Sequence, residues 1–339
     1  MHNSIVRVCR DPHVARGPRR RSIVGGLVAT AAVSPLRAQP RPHRIGVIAS
    51  LPPAPNGSVL AATLAELGYR EGENLVIERR PILGHPERLP SLAKDIVNSG
   101  VEVVVVEGDA AALAVKAASP TMPIVLIWSI DPVGNGLAAS LGRPGGSVTG
   151  LTHDEGIDQG GKRLQLYKEA LPALTTIAAL CDSTPGIEKY WPKIHSAEQA
   201  FGIRVVPFEI HTSDDVGPAL EKIRKNHPSA LWCWGGPATD PQTAFVGEFA
   251  LAERLPAFHV STFAVLYGNG FLLGYSPDYY DFVRRAAVYV VKILKGARPA
   301  DLPIEQPSKF ELVISLKTAK AIGVTIPAAL LLRADRVVQ

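Results

Sequence analysis

Two glycine-rich stretches and a set of acids are the residues of this 339-residue sequence whose types and spacing could do chemistry. In "GIDQGGKRLQ", Gly156 to Gln165, four residues separate Gly156 from Gly161 and Lys162 follows. That is one residue short of G-x-x-x-x-G-K-[ST], the loop whose backbone amides cradle nucleotide phosphates. Arg163, however, stands where Ser or Thr would meet Mg²⁺, and Asp154, Glu155 and Asp158 would repel a triphosphate. Leu164, Leu166, Tyr167, Ala170 and Leu171 instead recur at helical spacing, so the stretch reads as the start of an amphipathic helix. "GNGLAA" (134–139) approaches the dinucleotide fingerprint, but it follows a late strand and leads into "RPGG", not a long helix. There is no G-x-S-x-G, H-E-x-x-H or C-x-x-C, and the histidines show no ligand spacing. Asp131, Asp182 and Asp240 follow strand-like runs and could act as acids or bases in a hydrolase. The same positions suit capping a helix or holding a ligand amine, and that reading is preferred.

The elements that must position these residues alternate from Arg44 onward. Strand patterns at 44–50, 74–80, 101–108 and 123–129 are separated by helical patterns, and 147–152 reads as a last strand of this unit. The run "VEVVVVEG" is almost continuously β-branched, as in a strand buried on both faces of a parallel sheet. The pattern restarts with a helix at 159–171 and strands at 176–182, 203–210, 230–234, 257–261 and 271–275. The helix at 279–296 carries one apolar stripe, Phe282, Val283, Ala286, Ala287, Val290, Ile293 and Leu294. The expected fold class is α/β, with two Rossmann-like, flavodoxin-like lobes facing each other. Ligands of such sheets sit at the carboxyl ends of the strands, which here means a cleft between lobes.

Those strand ends are suited to a small polar molecule. Ser50 follows the first strand, Gly108-Asp109-Ala110 the third, and Ser129-Ile130-Asp131 the fourth. In the second unit come Asp182-Ser183, Trp234-Gly235 and Ser261-Thr262-Phe263. Helix N-terminal amides behind such turns take carboxylates, Asp takes an ammonium group, and Trp234 or Tyr275 can pack an apolar side chain.

Several blocks resemble the ABC-transporter substrate-binding proteins of the type I periplasmic binding fold, in the group with tryptophan- and tyrosine-type binding proteins. They include "LAELGYREGENLVIERR", "DPVGNGLAASLGRPGGSVTGLT" and "VYVVKILKGARPADLPIEQPSKFELVISLKTAKAIGVTIP". The resemblance implies two lobes joined by a hinge, 43–152 with 263–303 and 153–262 with 304–339, closing on a ligand. It places Ser50, Gly108, Asp109 and Asp131 in first-lobe ligand loops and Tyr275 near the hinge. The second lobe departs from the family pattern, with Asp182-Ser183 where relatives carry Asn-Pro and with "LWCWGGPATD". What it implies is a periplasmic, monomeric solute-binding protein with no cofactor, metal or catalytic residue. It would hold a small organic molecule, amino acids among the candidates, and dock on an ABC permease. The alternatives are an α/β enzyme using Asp131 and Asp182 across the cleft, or a ligand-sensing subunit of a membrane receptor.

Charge and composition agree with this class. Apolar residues make up 46% and charged residues 20%, as in globular proteins. The net charge of +5 lies in the first 38 residues, whose seven arginines and one acid leave 29 basic and 30 acidic residues beyond. Nucleic acid is therefore not an expected partner. "RRRSIVGGLVATAAVSPLRAQP" has a basic start, a short apolar run and a small residue at Ala38, the layout of a cleaved export signal of twin-arginine type. The expected signal spans residues 1–38, and Cys9 falls within it. Cys181 and Cys233 lie in apolar runs and read as buried thiols, with a disulfide as the alternative.

Overall fold

The computed structural model of the chain describes residues 41–50, 58–153, 159–183, 187, 191–267, 270–307 and 309–339. The export-type segment and the Gly156 end of the phosphate-loop stretch lie outside them.

The first sheet is built from β1 (His43–Ala49), β2 (Leu75–Pro81), β3 (Val103–Glu107), β4 (Ile124–Trp128) and β5 (Val148–Leu151). Between them run α1 (Val59–Glu66), α2 (Leu89–Asn98) and α3 (Asp109–Ala118). Strand β3 is buried along its whole length because helices cover both faces. Its even and odd residues face different cores: Val103 and Val105 meet Ile45 and Val125, whereas Val104 and Val106 meet Ile48, Leu92 and Val115.

The second unit repeats the plan. It holds α4 (Gln159–Ala170), β6 (Thr176–Asp182), α5 (Trp191–Phe201), β7 (Arg204–Ile210), α6 (Val216–Lys225) and β8 (Ala230–Cys233). After these come α7 (Thr243–Ala252), β9 (Ala257–His259), α8 (Thr262–Tyr267) and β10 (Leu273–Pro277). Next, α9 (Tyr279–Leu294) lays Phe282, Val283, Ala286, Ala287 and Val290 on the first sheet, the stripe that the sequence shows. The chain ends with β11 (Ile304–Glu305), β12 (Phe310–Ser315), α10 (Leu316–Ile322), α11 (Ala328–Leu331) and β13 (Arg336–Val338).

The strand orders are β11-β5-β4-β3-β1-β2 and β13-β12-β10-β9-β8-β6-β7. Within both lies the flavodoxin-like order 2-1-3-4-5, with parallel pairing throughout except where β10 meets β12 antiparallel. Two sheets of parallel strands with helices on their faces are the expected α/β class.

Sheet membership changes at other points than the expected lobe boundaries at 263 and 304. β10 belongs to the second sheet, because Leu273 to Pro277 pair with Ile314 to Phe310 and Leu273 and Gly274 with Phe258 and His259. Return to the first sheet thus comes between Pro277 and Tyr279. β11 pairs Ile304 and Glu305 with Gly150 and Leu151, so the last crossing follows Glu305. Cys181 and Cys233 are both buried and free, and burial pushes the Cys233 thiol up to about 12.

The edge strands β2 and β7 hold corresponding places in the two sheets, and the loops that follow them touch. The Ser213 amide donates to the Gly84 carbonyl at 2.9 Å. Gly84 has φ +82°, and a Cβ there would lie 1.9 Å from Ser213 Oγ. Only glycine allows both this backbone conformation and this approach. Gly84→Ala should break the contact locally: the Ser213 amide should exchange with deuterium at least roughly tenfold faster, while amides of β3 and β8 keep their protection. Unchanged Ser213 protection would contradict this account of the edge.

Candidate functional site

The carboxyl ends of both sheets open on one cavity of about 770 Å³. Its first wall holds Ser50 beyond β1, Glu107 at the end of β3, Trp128 at the end of β4, and Tyr279 at the start of α9. Its second holds Trp234, Gly235 and Gly236 beyond β8, Asp240, and His259 at the end of β9. Arg163 enters from α4. Aromatic rings from α8 and α9, among them Phe263 and Tyr280, complete the rim.

Glu107 is 9% exposed. Its carboxylate accepts the Ser50 amide at 2.8 Å and the Tyr279 hydroxyl, tying β1, β3 and α9 together at the cavity wall. Burial, with the adjacent Glu107 charge, holds the Tyr279 phenol well above its ordinary value, so it stays a donor. Across the cavity, Asp240 accepts the Gly236 amide at 3.0 Å. Burial first, then the Asp182 charge, pushes the Asp240 carboxyl up to about 7, with Glu107 of the other sheet adding to the shift. Acids from both lobes therefore face the same space, and ionising all of them without a cation is costly.

Arg79, Arg80 and Lys193 reach the cavity as well, but its buried cation among the described residues is Arg163, 9% exposed on the inward side of α4. Its Nε donates to the Tyr275 carbonyl at 3.1 Å and one terminal nitrogen to Gln159 Oε1 at 3.3 Å. His153 and His259 are both pushed down to about 3, burial being the main cause and the Arg163 charge contributing. Both imidazoles are neutral. His153 lies between Trp128, 5.8 Å away and nearly parallel, and Phe282, 4.9 Å away.

Of the strand-end residues singled out from the sequence, Ser50, Ile130, Trp234, Gly235, Asp240, Ser261 and Phe263 line the cavity. The others sit behind its wall, and most hold the wall in place. Asp109 is 5% exposed and accepts from the Ser129 hydroxyl, the Ile130 and Asp131 amides at 3.1 and 3.2 Å, and Asn135 Nδ2 at 2.9 Å. It thereby fixes the turn after β4, beside Gly108 and Ala110 at the start of α3. Asp131 accepts the Gly134 amide at 2.7 Å within the same turn, which shows "GNGLAA" to be a loop without a helix behind it. Asp182 accepts the Ala238 and Thr239 amides at 2.5 and 3.1 Å. Gly236, at φ +150°, has no room for a Cβ, which would lie 2.6 Å from Asp182 Oδ2, so the glycine of "WGG" lets the loop close on that carboxylate. The Ser183 amide donates to Ile210, Thr262 bonds Ser276, and Tyr275 stacks on Phe310 at 5.1 Å.

Sequence reasoning passed over Glu107, Arg163, His259 and Tyr279. A charged residue closing the apolar run "VEVVVVE", and an arginine beside the inward positions of an amphipathic helix, were signals available for the first two.

Residues 56–338 match the family model described as ABC transporter substrate binding protein. A curated relative, the tyrosine-binding protein of Clostridioides difficile (strain R20291), is 24% identical over 274 residues, 80% of this chain and 77% of that protein. Among solved structures, a conserved domain protein from Vibrio cholerae is 26% identical with a TM-score of 0.77, covering 88% of this chain and 100% of that one. A Streptococcus ABC domain in complex with L-Trp, 24% identical, has the same TM-score and coverage. The chain belongs to the ABC transporter substrate binding protein family.

The bonding of Asp109 generates a test of its part in the site. Asp109→Ala removes the acceptor for two amides, a hydroxyl and an amide side chain, one of these bonds buried and three part-buried. The protein should lose about 2–4 kcal/mol in urea unfolding. A loss below about 0.5 kcal/mol would mean that the turn after β4 holds itself.

Proposed function

We propose that this protein is the extracytoplasmic binding component of an ABC importer and that its cavity takes an aromatic α-amino acid as the zwitterion. One observation carries the ligand class: Arg163 on one side, and Glu107 and Asp240 from the two lobes, share the wall of one aromatic cavity. The ammonium group fits between the two carboxylates, where it offsets the burial and the neighbouring acid charge that raise the Asp240 pKa. The ligand carboxylate fits beside Arg163, and its ring packs among Trp128, Trp234 and Tyr279. The name of the tyrosine-binding relative supports the same class.

Binding then favours the state in which the lobes meet, because the ammonium is held from both sides only when they do. A permease in the membrane would read that state, and the ligand leaves unchanged. Among the described residues no helix is long and apolar enough to cross a membrane, so on this reading the permease supplies the passage.

Thermal unfolding against L-tyrosine, L-tryptophan, sugars, nucleosides and dicarboxylates tests the proposal. An aromatic amino acid at a hundredfold its Kd should stabilise by about 2.7 kcal/mol, a rise in Tm of roughly 5 °C. A comparable rise with sugars or dicarboxylates, and none with aromatic amino acids, would overturn it.

The charge pairing also sets a pH dependence. In the empty site burial first, then the Asp182 charge and more weakly Glu107, push the Asp240 carboxyl up to about 7 against the Gly236 amide and Ser50 hydroxyl, with the neutral His259 nearby. An ammonium ligand favours the ionised form, so below pH 7 binding must expel a proton. Affinity for L-tyrosine should rise with pH by up to about tenfold per unit until near 7, then level. Asp240→Asn should bind more weakly and flatten the profile. In the empty protein the sign is opposite. The folded state keeps a proton that the unfolded chain, with its carboxyl at 3.8, has lost, so stability falls as pH rises through about 4 to 7.

A further inference from the structure

His259 is a buried side chain in the cavity wall. It closes β9, is 2% exposed, and packs edge-on against Phe271 with ring centroids 5.0 Å apart. The Ser261 amide donates to Nδ1 at 2.9 Å, so Nδ1 is the acceptor nitrogen. Burial holds the ring neutral, with its pKa down at about 3. The single ring proton must then sit on Nε2. Among the described residues that Nε2–H has no hydrogen-bond partner. A buried donor left in this way costs about 1–3 kcal/mol, and such groups recur where a ligand completes the pairing.

Its surroundings say what the partner is. Gly235 lies between the imidazole and Asp240: a Cβ there would be 3.3 Å from His259 Cε1 and 3.2 Å from Asp240 Oδ1. A neutral donor and a carboxylate acceptor therefore flank one small space on the second-lobe wall, with the Arg163 charge acting on the same ring. An α-amino acid presents an acceptor oxygen and a cationic donor nitrogen three bonds apart, which suits a donor and an acceptor side by side on one wall. Trp232 lines the cavity too and its Nε1 also lacks a partner among the described residues, but most of its ring packs against Tyr167 and Trp234 in the core of the second lobe, away from Asp240.

Resting on the aromatic amino-acid reading above, we infer that His259 donates from Nε2 to the ligand's α-carboxylate and selects amino acids over the corresponding amines. Arg163 supplies charge to that carboxylate, and His259 supplies a direction. Tyramine keeps the ring and ammonium group of tyrosine but brings no oxygen to the imidazole, which stays unpaired in the complex. A site left with a buried polar group unpaired rejects the deficient ligand strongly. Because His259 is neutral across the working range, this selection is independent of pH between 6 and 8, in contrast to the affinity that Asp240 governs.

The test compares L-tyrosine, L-tyrosinamide and tyramine on the full chain, wild type, His259→Phe and His259→Gln. Wild type should prefer L-tyrosine to tyramine by at least about a hundredfold. L-Tyrosinamide, with a neutral acceptor, should fall between. His259→Phe should weaken L-tyrosine by roughly tenfold to a hundredfold and leave tyramine unchanged, while His259→Gln restores part of the preference. Equal weakening of both ligands, or an unchanged preference in His259→Phe, overturns the assignment and leaves the amino-acid reading standing. Failure of wild type to bind L-tyrosine and L-tryptophan overturns both. Nitrogen-15 NMR of the wild-type imidazole gives the answer without substitution: Nε2–H should shift downfield with L-tyrosine and not with tyramine. No shift with bound L-tyrosine contradicts the role.

Discussion

Parallel pairing leaves backbone groups without strand partners at the carboxyl end of every strand, and each must be satisfied in the turn that follows. This chain meets that demand with carboxylates. Glu107 takes the Ser50 amide, Asp109 those of Ile130 and Asp131, Asp182 those of Ala238 and Thr239, and Asp240 that of Gly236. The same geometry that makes strand ends a cavity wall therefore fills the wall with acids. Burial raises the pKa of Asp182 and Asp240 as a consequence. One buried guanidinium, Arg163, stands on the other side. The electrostatics of the cavity follow from how the sheets end their strands.

Much of that frame was legible in the sequence. The apolar run 101–108 and the stripe from Phe282 to Leu294 fix a buried central strand and the helix that covers it, and the repeated alternation gives two flavodoxin-like units. Sheet membership near the hinge was less legible. "LLGYSP" is a short strand in either lobe; its place is decided by antiparallel pairing with a segment about forty residues on, and local pattern does not encode a partner.

The site was legible in position more than in role. Strand-end loops were the right region, yet a side chain there can turn toward the cavity or back to its own backbone, and the residue type suits both. Asp109 and Asp182 turn back, as their bonds to the neighbouring loops show. Glu107 and Asp240 also bond backbone, but from the cavity wall. Arg163 was hidden by its neighbours, since Gly160-Gly161-Lys162 draws attention as a phosphate loop while the next residue is the buried cation. His259, inside "AFHVS", has no local mark of its tautomer, which depends on the Ser261 amide turning back onto Nδ1.

On the proposed reading binding and hinge position are coupled, because the acids assigned to the ammonium group belong to different sheets; the Gly84–Ser213 contact joins those sheets' edge loops. The central claim is that the cavity holds an aromatic α-amino acid and releases it unaltered. Titration calorimetry of L-tyrosine and L-tryptophan at pH 8, with the compound recovered and weighed by mass spectrometry, tests it most directly. The account predicts saturable one-to-one binding of at least one of them and recovery of an unchanged mass. Absence of heat with both, or a changed mass, would contradict it.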